Sequence, residues 1–139
     1  MIVKELQAGN FRNLEALQVT PHPRLNYFWG ENGAGKTSIL EALVVLSRGR
    51  SFRSSQSIEL VGPHGRAFHV FAEVENEEGG RQRLGLERAG DRLVVTIRGI
   101  RDATRPCILT NEYQRPTDHR FQRFFAWRIS SSRSLVIGW

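Results

Sequence analysis

The chain has 139 residues, of which 40% are hydrophobic and 24% charged, with a formal net charge of +6. This composition suits one domain with a modest core. The sequence contains no run of about 18 apolar residues and no signal-peptide pattern, so it predicts no membrane span. Cys107 is the sole cysteine, which excludes an internal disulfide and favours a cytoplasmic location.

The first quarter of the chain predicts three short strands. Ile2–Leu6 and Leu14–Val19 are joined across residues 9–13, and Thr20–Pro23 breaks regular structure. The aromatic-rich run Leu25–Trp29 is typical of a buried strand.

A phosphate-binding loop follows the third strand, since residues 30–37 match the pattern G-x-x-x-x-G-K-[ST]. In such loops backbone N–H groups surround phosphate oxygens, and glycines permit the close approach. Lys36 is expected to reach the β- and γ-phosphates, and the Thr37 hydroxyl to ligate Mg²⁺. The candidate nucleotide-binding residues are Gly30, Glu31, Asn32, Gly33, Ala34, Gly35, Lys36 and Thr37.

A helix is predicted over Thr37–Ser47, with Gly49 as its stop. Its N-terminus would place a positive dipole end under the same anion. Strand, glycine loop and helix therefore occur in the required order. The competing interpretation is a glycine-rich turn that happens to contain a lysine.

An antiparallel meander is predicted after the helix. Apolar residues alternate along residues 68–74, and two further strands are marked by residues 84–86 and 93–97, with turns at 76–80 and 89–91. Together with the phosphate loop this predicts an α/β fold, a P-loop NTPase lobe with an accessory antiparallel sheet. Glu73 and Glu75 lie on this alternation, so we expect them to face solvent rather than to form a catalytic acidic pair.

Four segments carry a family resemblance. Phe11-Arg12-Asn13, Asn26–Thr37, Ser38–Leu43 and the run LSRGRSFR at residues 46–53 resemble, in order and spacing, the N-terminal part of the RecF family of bacterial repair proteins. The resemblance covers about residues 1–100. Ser38, where an asparagine would be more usual, departs from the pattern.

The resemblance implies the N-terminal lobe of an ABC-type ATPase head that binds ATP and Mg²⁺ and dimerises around the nucleotide. It further implies a cytoplasmic protein of DNA replication, recombinational repair and the SOS response to DNA damage. Such a protein binds gapped DNA or single-/double-strand junctions and, with RecO- and RecR-like partners, helps to load RecA. Arg12 would make a secondary contact with the phosphates or the base; the alternative is a solvated turn arginine after a core Phe11.

Three arginines beyond the helix suggest a separate hypothesis. Arg48, Arg50 and Arg53 flank Phe52 in a polar segment, a combination typical of DNA-contacting loops. The alternative is a set of charges that complement the helix dipole, with Phe52 buried as an anchor.

The tail differs from the rest of the chain. Residues 104–139 hold six arginines against Glu112 and Asp118 and lose clear periodicity, and we expect a truncated or off-frame continuation of the lobe at residues 1–103. No acidic strand-end pair or signature motif for hydrolysis is found. The domain is therefore interpreted as incomplete, and we expect negligible ATPase activity from this chain alone. The alternatives are a non-catalytic nucleotide-binding or non-functional fragment, and another P-loop NTPase or kinase.

The four histidines are scattered along the sequence and predict no metal site: His22, His64, His69 and His119.

Overall fold

A computed structural model describes residues 2–99, 109–110, 126–131 and 134–138. These ranges contain one α-helix, α1 (Lys36–Arg48), a 3₁₀ helix (Ser57–Leu60) and nine strands. The strands are β1 (Ile2–Phe11), β2 (Leu14–Val19), β3 (Leu25–Trp29), β4 (Ala67–Glu75), β5 (Arg81–Ala89), β6 (Arg92–Gly99), β7 (Leu109–Thr110), β8 (Ala126–Ser131) and β9 (Ser134–Gly138).

The larger sheet has the strand order β2-β1-β4-β5-β6-β7, with every neighbouring pair antiparallel. Strands β4, β5 and β6 form the predicted meander, in which Val70 pairs with Leu86 and Leu86 with Val95. Phe68, Val70, Ala72 and Val74 are all buried. Because side chains alternate between the two faces of a strand, this confirms the predicted inward face of β4.

The first strand is longer than its sequence pattern predicts. β1 continues past Leu6 to Phe11, so residues 9–11 of the predicted connection belong to the sheet. Gly9 pairs with Ala16 of β2 on one side and with His69 of β4 on the other. These two ladders explain the extension, since a strand with partners on both edges has its backbone N–H and C=O groups satisfied along its length.

The strand that leads into the phosphate loop lies in a second sheet, of order β3-β9-β8. Its position before the loop agrees with the prediction, but its burial does not. Leu25, Tyr27 and Trp29 are 60–73% exposed, whereas Phe28 packs against the core. The prediction of a buried strand was wrong for this face because apolar composition does not specify which face of a strand another element covers.

Helix α1 packs against the larger sheet and supplies much of the core. It begins one residue before the predicted start and ends at Arg48, where Gly49 adopts a left-handed φ of 65° and donates its N–H to Val45 O at 2.7 Å. This confirms Gly49 as the helix stop. Within the core, the rings of Phe11 and Phe68 pack edge to face, with centroids 5.3 Å apart. In the described part of the chain, no helix has the length and apolar character needed to cross a membrane.

Candidate functional site

The glycine loop connects β3 to α1 and has the backbone geometry of a phosphate-binding loop. Gly33 and Gly35 have φ values of 87° and 94°, which residues other than glycine rarely adopt. Gly35 is also the N-cap of α1, and its carbonyl accepts the first helical hydrogen bond from Ile39 N–H at 3.0 Å. The loop therefore ends at the positive end of the helix dipole.

Gly35 is restricted by space as well as by backbone conformation. A Cβ at this position would lie 2.7 Å from Leu14 Cδ2, at the start of β2. Gly30 is less confined, since its Cβ would lie 3.3 Å from Ala34 Cβ. The start of β2 therefore packs directly against the end of the glycine loop.

The ammonium group of Lys36 closes the loop from within. Its Nζ donates to Gly30 O at 2.6 Å and to Glu31 O at 2.7 Å. The side chain of Thr37, one residue further along the helix, is exposed. The ammonium group is therefore held at the glycine loop by two carbonyl oxygens, which a phosphate oxygen could replace as its partners.

A cleft of about 450 Å³ opens in front of the loop. Among the residues that line it are Arg12, Asn13, Gly33, Lys36, Thr37 and Arg53. Three cationic side chains from separate parts of the sequence thus face one cavity. This combination of positive charge, backbone N–H groups and a helix N-terminus favours an anionic ligand.

Arg12 belongs to this cleft and is not a solvated turn residue. Its Nε and Nη2 donate to the two carboxylate oxygens of Glu41 at 3.0 and 2.8 Å, and its Nη1 donates to Glu59 O at 2.7 Å. Its backbone has a left-handed φ of 54°. Phe11 is fully buried, which confirms its core position. A contact between Arg12 and phosphate remains a prediction.

Glu41 is the residue that sequence reasoning missed. Its side chain is 0% exposed. Besides pairing with Arg12, it accepts a hydrogen bond from Ser51 Oγ and lies 3.4 Å from Arg53 Nη1. The available signal was a glutamate in the middle of an otherwise apolar helix face, since a buried carboxylate requires charged or hydrogen-bonding partners.

The arginines at the end of α1 and just beyond it line two neighbouring clefts. Arg53 pairs with Glu41 and lines both the cleft in front of the glycine loop and a second cleft of about 580 Å³. Arg48, Arg50 and Phe52 line the second cleft. Phe52 is 49% exposed. The alternative in which Phe52 is a buried anchor is therefore wrong.

The acidic residues of β4 are occupied by ion pairs on the outer face of the larger sheet. Glu73 lies 3.5 Å from Arg81 and from Arg83, and Glu75 lies 3.4 Å from Lys4. Both carboxylates are partly covered by these cations rather than free in solvent. Within the ranges that the structure describes, no group of three or more His, Cys, Asp or Glu side chains could hold a metal ion.

Together, the glycine loop, the helix behind it and the adjoining antiparallel sheet define the N-terminal lobe of an ABC-type P-loop ATPase. The sequence profile of the RecF/RecN/SMC N terminal domain matches residues 2–124. The chain belongs to this family and corresponds to the N-terminal part of its RecF members.

Two curated relatives illustrate the extent of the similarity. The DNA replication and repair protein RecF of Pseudomonas putida (strain W619) is 42% identical over 93 residues, or 66% of this chain and 25% of that protein. The RecF protein of Coxiella burnetii (strain CbuK_Q154) is 44% identical over 94 residues, or 65% of this chain and 26% of the relative. The chain thus spans about a quarter of the length of the curated relatives that it matches.

Solved structures of RecF also match this chain over about a quarter of their own length. One, described as the recombination mediator protein RecF with ATP in the RecFOR pathway, matches with a TM-score of 0.65 and 32% identity, over 70% of this chain and 26% of that one. A second, described as RecF-ATPrS in the same pathway, matches with a TM-score of 0.58 and 30% identity, over 68% of this chain and 26% of the other.

Proposed function

We propose that the chain is the ATP-binding N-terminal part of a RecF-like protein of DNA replication and repair. The observation that carries this proposal is the cleft in which the glycine loop, the α1 N-terminus, Lys36 and two arginines converge. The RecF structure described with ATP supports the choice of nucleotide. Residues 30–37 would enclose the triphosphate.

Each part of the cleft has a distinct role in this proposal. Lys36 would exchange its two carbonyl partners for oxygens of the β- and γ-phosphates, and backbone N–H groups of the loop would bind the remaining oxygens. Arg12, held in place by Glu41, still has guanidinium N–H groups that do not contact Glu41 or Glu59. These can donate to a phosphate or to the base.

Mg²⁺ fits the same site. This ion favours oxygen ligands and in nucleotide sites is shared between phosphate oxygens, waters and one or two protein groups. The exposed Thr37 hydroxyl, at the first turn of α1, supplies such an oxygen. When bound, the ion would neutralise phosphate charge, and Thr37 would fix its position relative to the loop.

The wider role is proposed from the relatives. We infer that the complete protein forms a nucleotide-dependent homodimer, binds DNA at gaps or single-/double-strand junctions, and works with RecO- and RecR-like proteins to load RecA in the cytoplasm. The names of the relatives and the pathway named for the solved structures support this role. For DNA contact we propose the second cleft, where Arg50 and the exposed Phe52 combine charge with a stacking surface.

The test is a calorimetric titration of the chain with ATP and Mg²⁺. We expect saturable binding that weakens at least tenfold in Lys36→Ala, because that substitution removes the cation at the loop. Lys4→Ala is the matched control, since it removes the same charge from a surface ion pair with Glu75. An unaltered chain that binds no ATP, or a Lys36→Ala variant that binds as well as Lys4→Ala, would refute the proposal.

A further inference from the structure

A side chain outside the glycine loop holds the loop in its conformation. Asn13, in the turn between β1 and β2, donates a hydrogen bond from Nδ2 to Gly33 O. Its Oδ1 accepts a hydrogen bond from Ser38 Oγ at 2.6 Å. Since Gly33 O can only accept, the amide nitrogen must face the loop and the amide oxygen must face the helix. One amide thereby joins the loop to the first turn of α1.

Gly33 has open space on the side where a Cβ would lie. Nothing lies within 4 Å of the position that a Cβ would take at Gly33, in contrast to Gly35, which Leu14 confines. Gly33 has a φ of 87°, and glycine adopts many other backbone angles at low cost. Two hydrogen bonds hold the Gly33–Ala34 peptide group: Asn13 Nδ2 donates to Gly33 O, and Ala34 N–H donates to Glu31 O. The bond from Asn13 is the one that a side chain supplies.

The orientation of that carbonyl also determines a candidate phosphate donor. In a planar trans peptide the C=O and N–H groups point in opposite directions, so fixing Gly33 O fixes the N–H of Ala34. This N–H donates to Glu31 O at 3.2 Å, so a phosphate oxygen would replace the Glu31 carbonyl as its partner, as proposed for Lys36. In addition, Gly33 and Asn13 both line the cleft, where an unpaired carbonyl oxygen would repel an anion.

We propose that Asn13 is a positioning residue of the phosphate site, acting through its hydrogen bond to Gly33 O. It fixes the direction of the Gly33–Ala34 peptide and neutralises the carbonyl dipole beside the cleft. The Ser38 hydroxyl orients the Asn13 amide by donating to its Oδ1. The proposal rests on the proposed ATP-binding function and specifies how the loop is prepared for the triphosphate.

The test compares Asn13→Leu with Ser38→Ala. Asn13→Leu keeps a side chain of similar shape but removes the donor to Gly33, whereas Ser38→Ala leaves that donor in place. We expect Asn13→Leu to weaken binding of ATP with Mg²⁺ about tenfold and Ser38→Ala about two- to threefold. Because Asn13 is exposed, the denaturation midpoint should change little. The Ala34 amide signal in a ¹H–¹⁵N spectrum of the free chain should move in Asn13→Leu.

The outcomes separate this proposal from the one on which it rests. An unaltered chain that binds no ATP refutes the proposed function, and the Ala34 amide signal then decides the role of Asn13 alone. If ATP binds and Asn13→Leu binds equally well, or if Ser38→Ala loses more affinity than Asn13→Leu, the positioning role is refuted. Should Asn13→Leu fail to fold, Asn13→Ser provides the same comparison with a smaller polar side chain, and unchanged affinity with an unmoved Ala34 signal would contradict the proposal.

Discussion

Arg12 and Glu41 form a two-point ion pair that joins the turn after β1 to the middle of α1. The two N–O distances are 3.0 and 2.8 Å, and the glutamate is wholly buried. Two parallel hydrogen bonds between a guanidinium and a carboxylate fix orientation as well as distance. The pair therefore fixes the position of the Arg12 guanidinium at the edge of the cleft in front of the glycine loop.

Glu41→Ala should destabilise the chain by about 3 kcal/mol, because removing one partner of a buried ion pair leaves the other charge uncompensated. Chemical denaturation measures this loss. Glu59→Ala is the control, since Glu59 is exposed and contacts Arg12 through its backbone carbonyl alone among the contacts described. Equal stability of the two variants would mean that the Arg12–Glu41 pair does not hold the turn against the helix.

Gly35→Ala should cost about 1–3 kcal/mol more than Gly90→Ala, through crowding in the packed site. Both glycines have left-handed φ values, 94° and 61°, but a Cβ at Gly35 meets Leu14 whereas a Cβ at Gly90 meets nothing within 4 Å. The less usual φ of Gly35 adds to the same difference, and thermal or chemical unfolding of the two variants measures it. A similar loss at both positions would show that backbone strain alone, and not Leu14, restricts Gly35.

The pKa of Glu5 should lie below its usual value of 4.5 because Gln7 and then Gln18 donate hydrogen bonds to its carboxylate, with Arg83 adding a smaller attraction against partial desolvation. The associated stabilisation is present above the unfolded-state pKa and is lost as the pH falls through the lower, folded-state pKa. In an NMR titration Gln18→Ala should raise the pKa of Glu5, whereas Gln56→Ala should not. An unmoved pKa in Gln18→Ala would contradict the assigned cause.

Arg50→Ala combined with Phe52→Ala should weaken binding of gapped DNA in the presence of ATP and leave ATP affinity unchanged, since both residues line the second cleft. The loss should include a decrease of about one in the salt slope for the phosphate contact of Arg50. Fluorescence anisotropy at several salt concentrations measures both quantities. The control is Arg24→Ala, which removes an exposed arginine elsewhere in the chain. An equal loss of DNA affinity in the double variant and in Arg24→Ala would place DNA contact outside this cleft.

Local patterns predicted much of the fold. The glycine loop, the helix that follows it and the alternating strands of the meander depend on residues close in sequence, so their positions could be read to within a few residues. The RecF resemblance, drawn from the same segments, is confirmed by the family match. By contrast, β1 extends past Leu6 because the distant strand β4 pairs with it on one side while β2 pairs with it on the other.

The supporting contacts of the site could not be predicted in this way. Arg12 and Glu41 are 29 positions apart, and Asn13 and Gly33 are 20 apart. Such pairs depend on how the turn after β1 packs against α1, which no local period encodes. The exposed face of β3 was missed for a related reason, since composition indicates an apolar strand but not what lies on each of its faces.

The most direct test of the central claim is a crystal structure of the chain with ATP and Mg²⁺. We expect Lys36 Nζ to leave the carbonyls of Gly30 and Glu31 and to lie about 3 Å from β- or γ-phosphate oxygens, with Thr37 Oγ1 on the metal. Nucleotide bound away from residues 30–37, or phosphates in the loop while Lys36 keeps both carbonyl partners, would contradict the account.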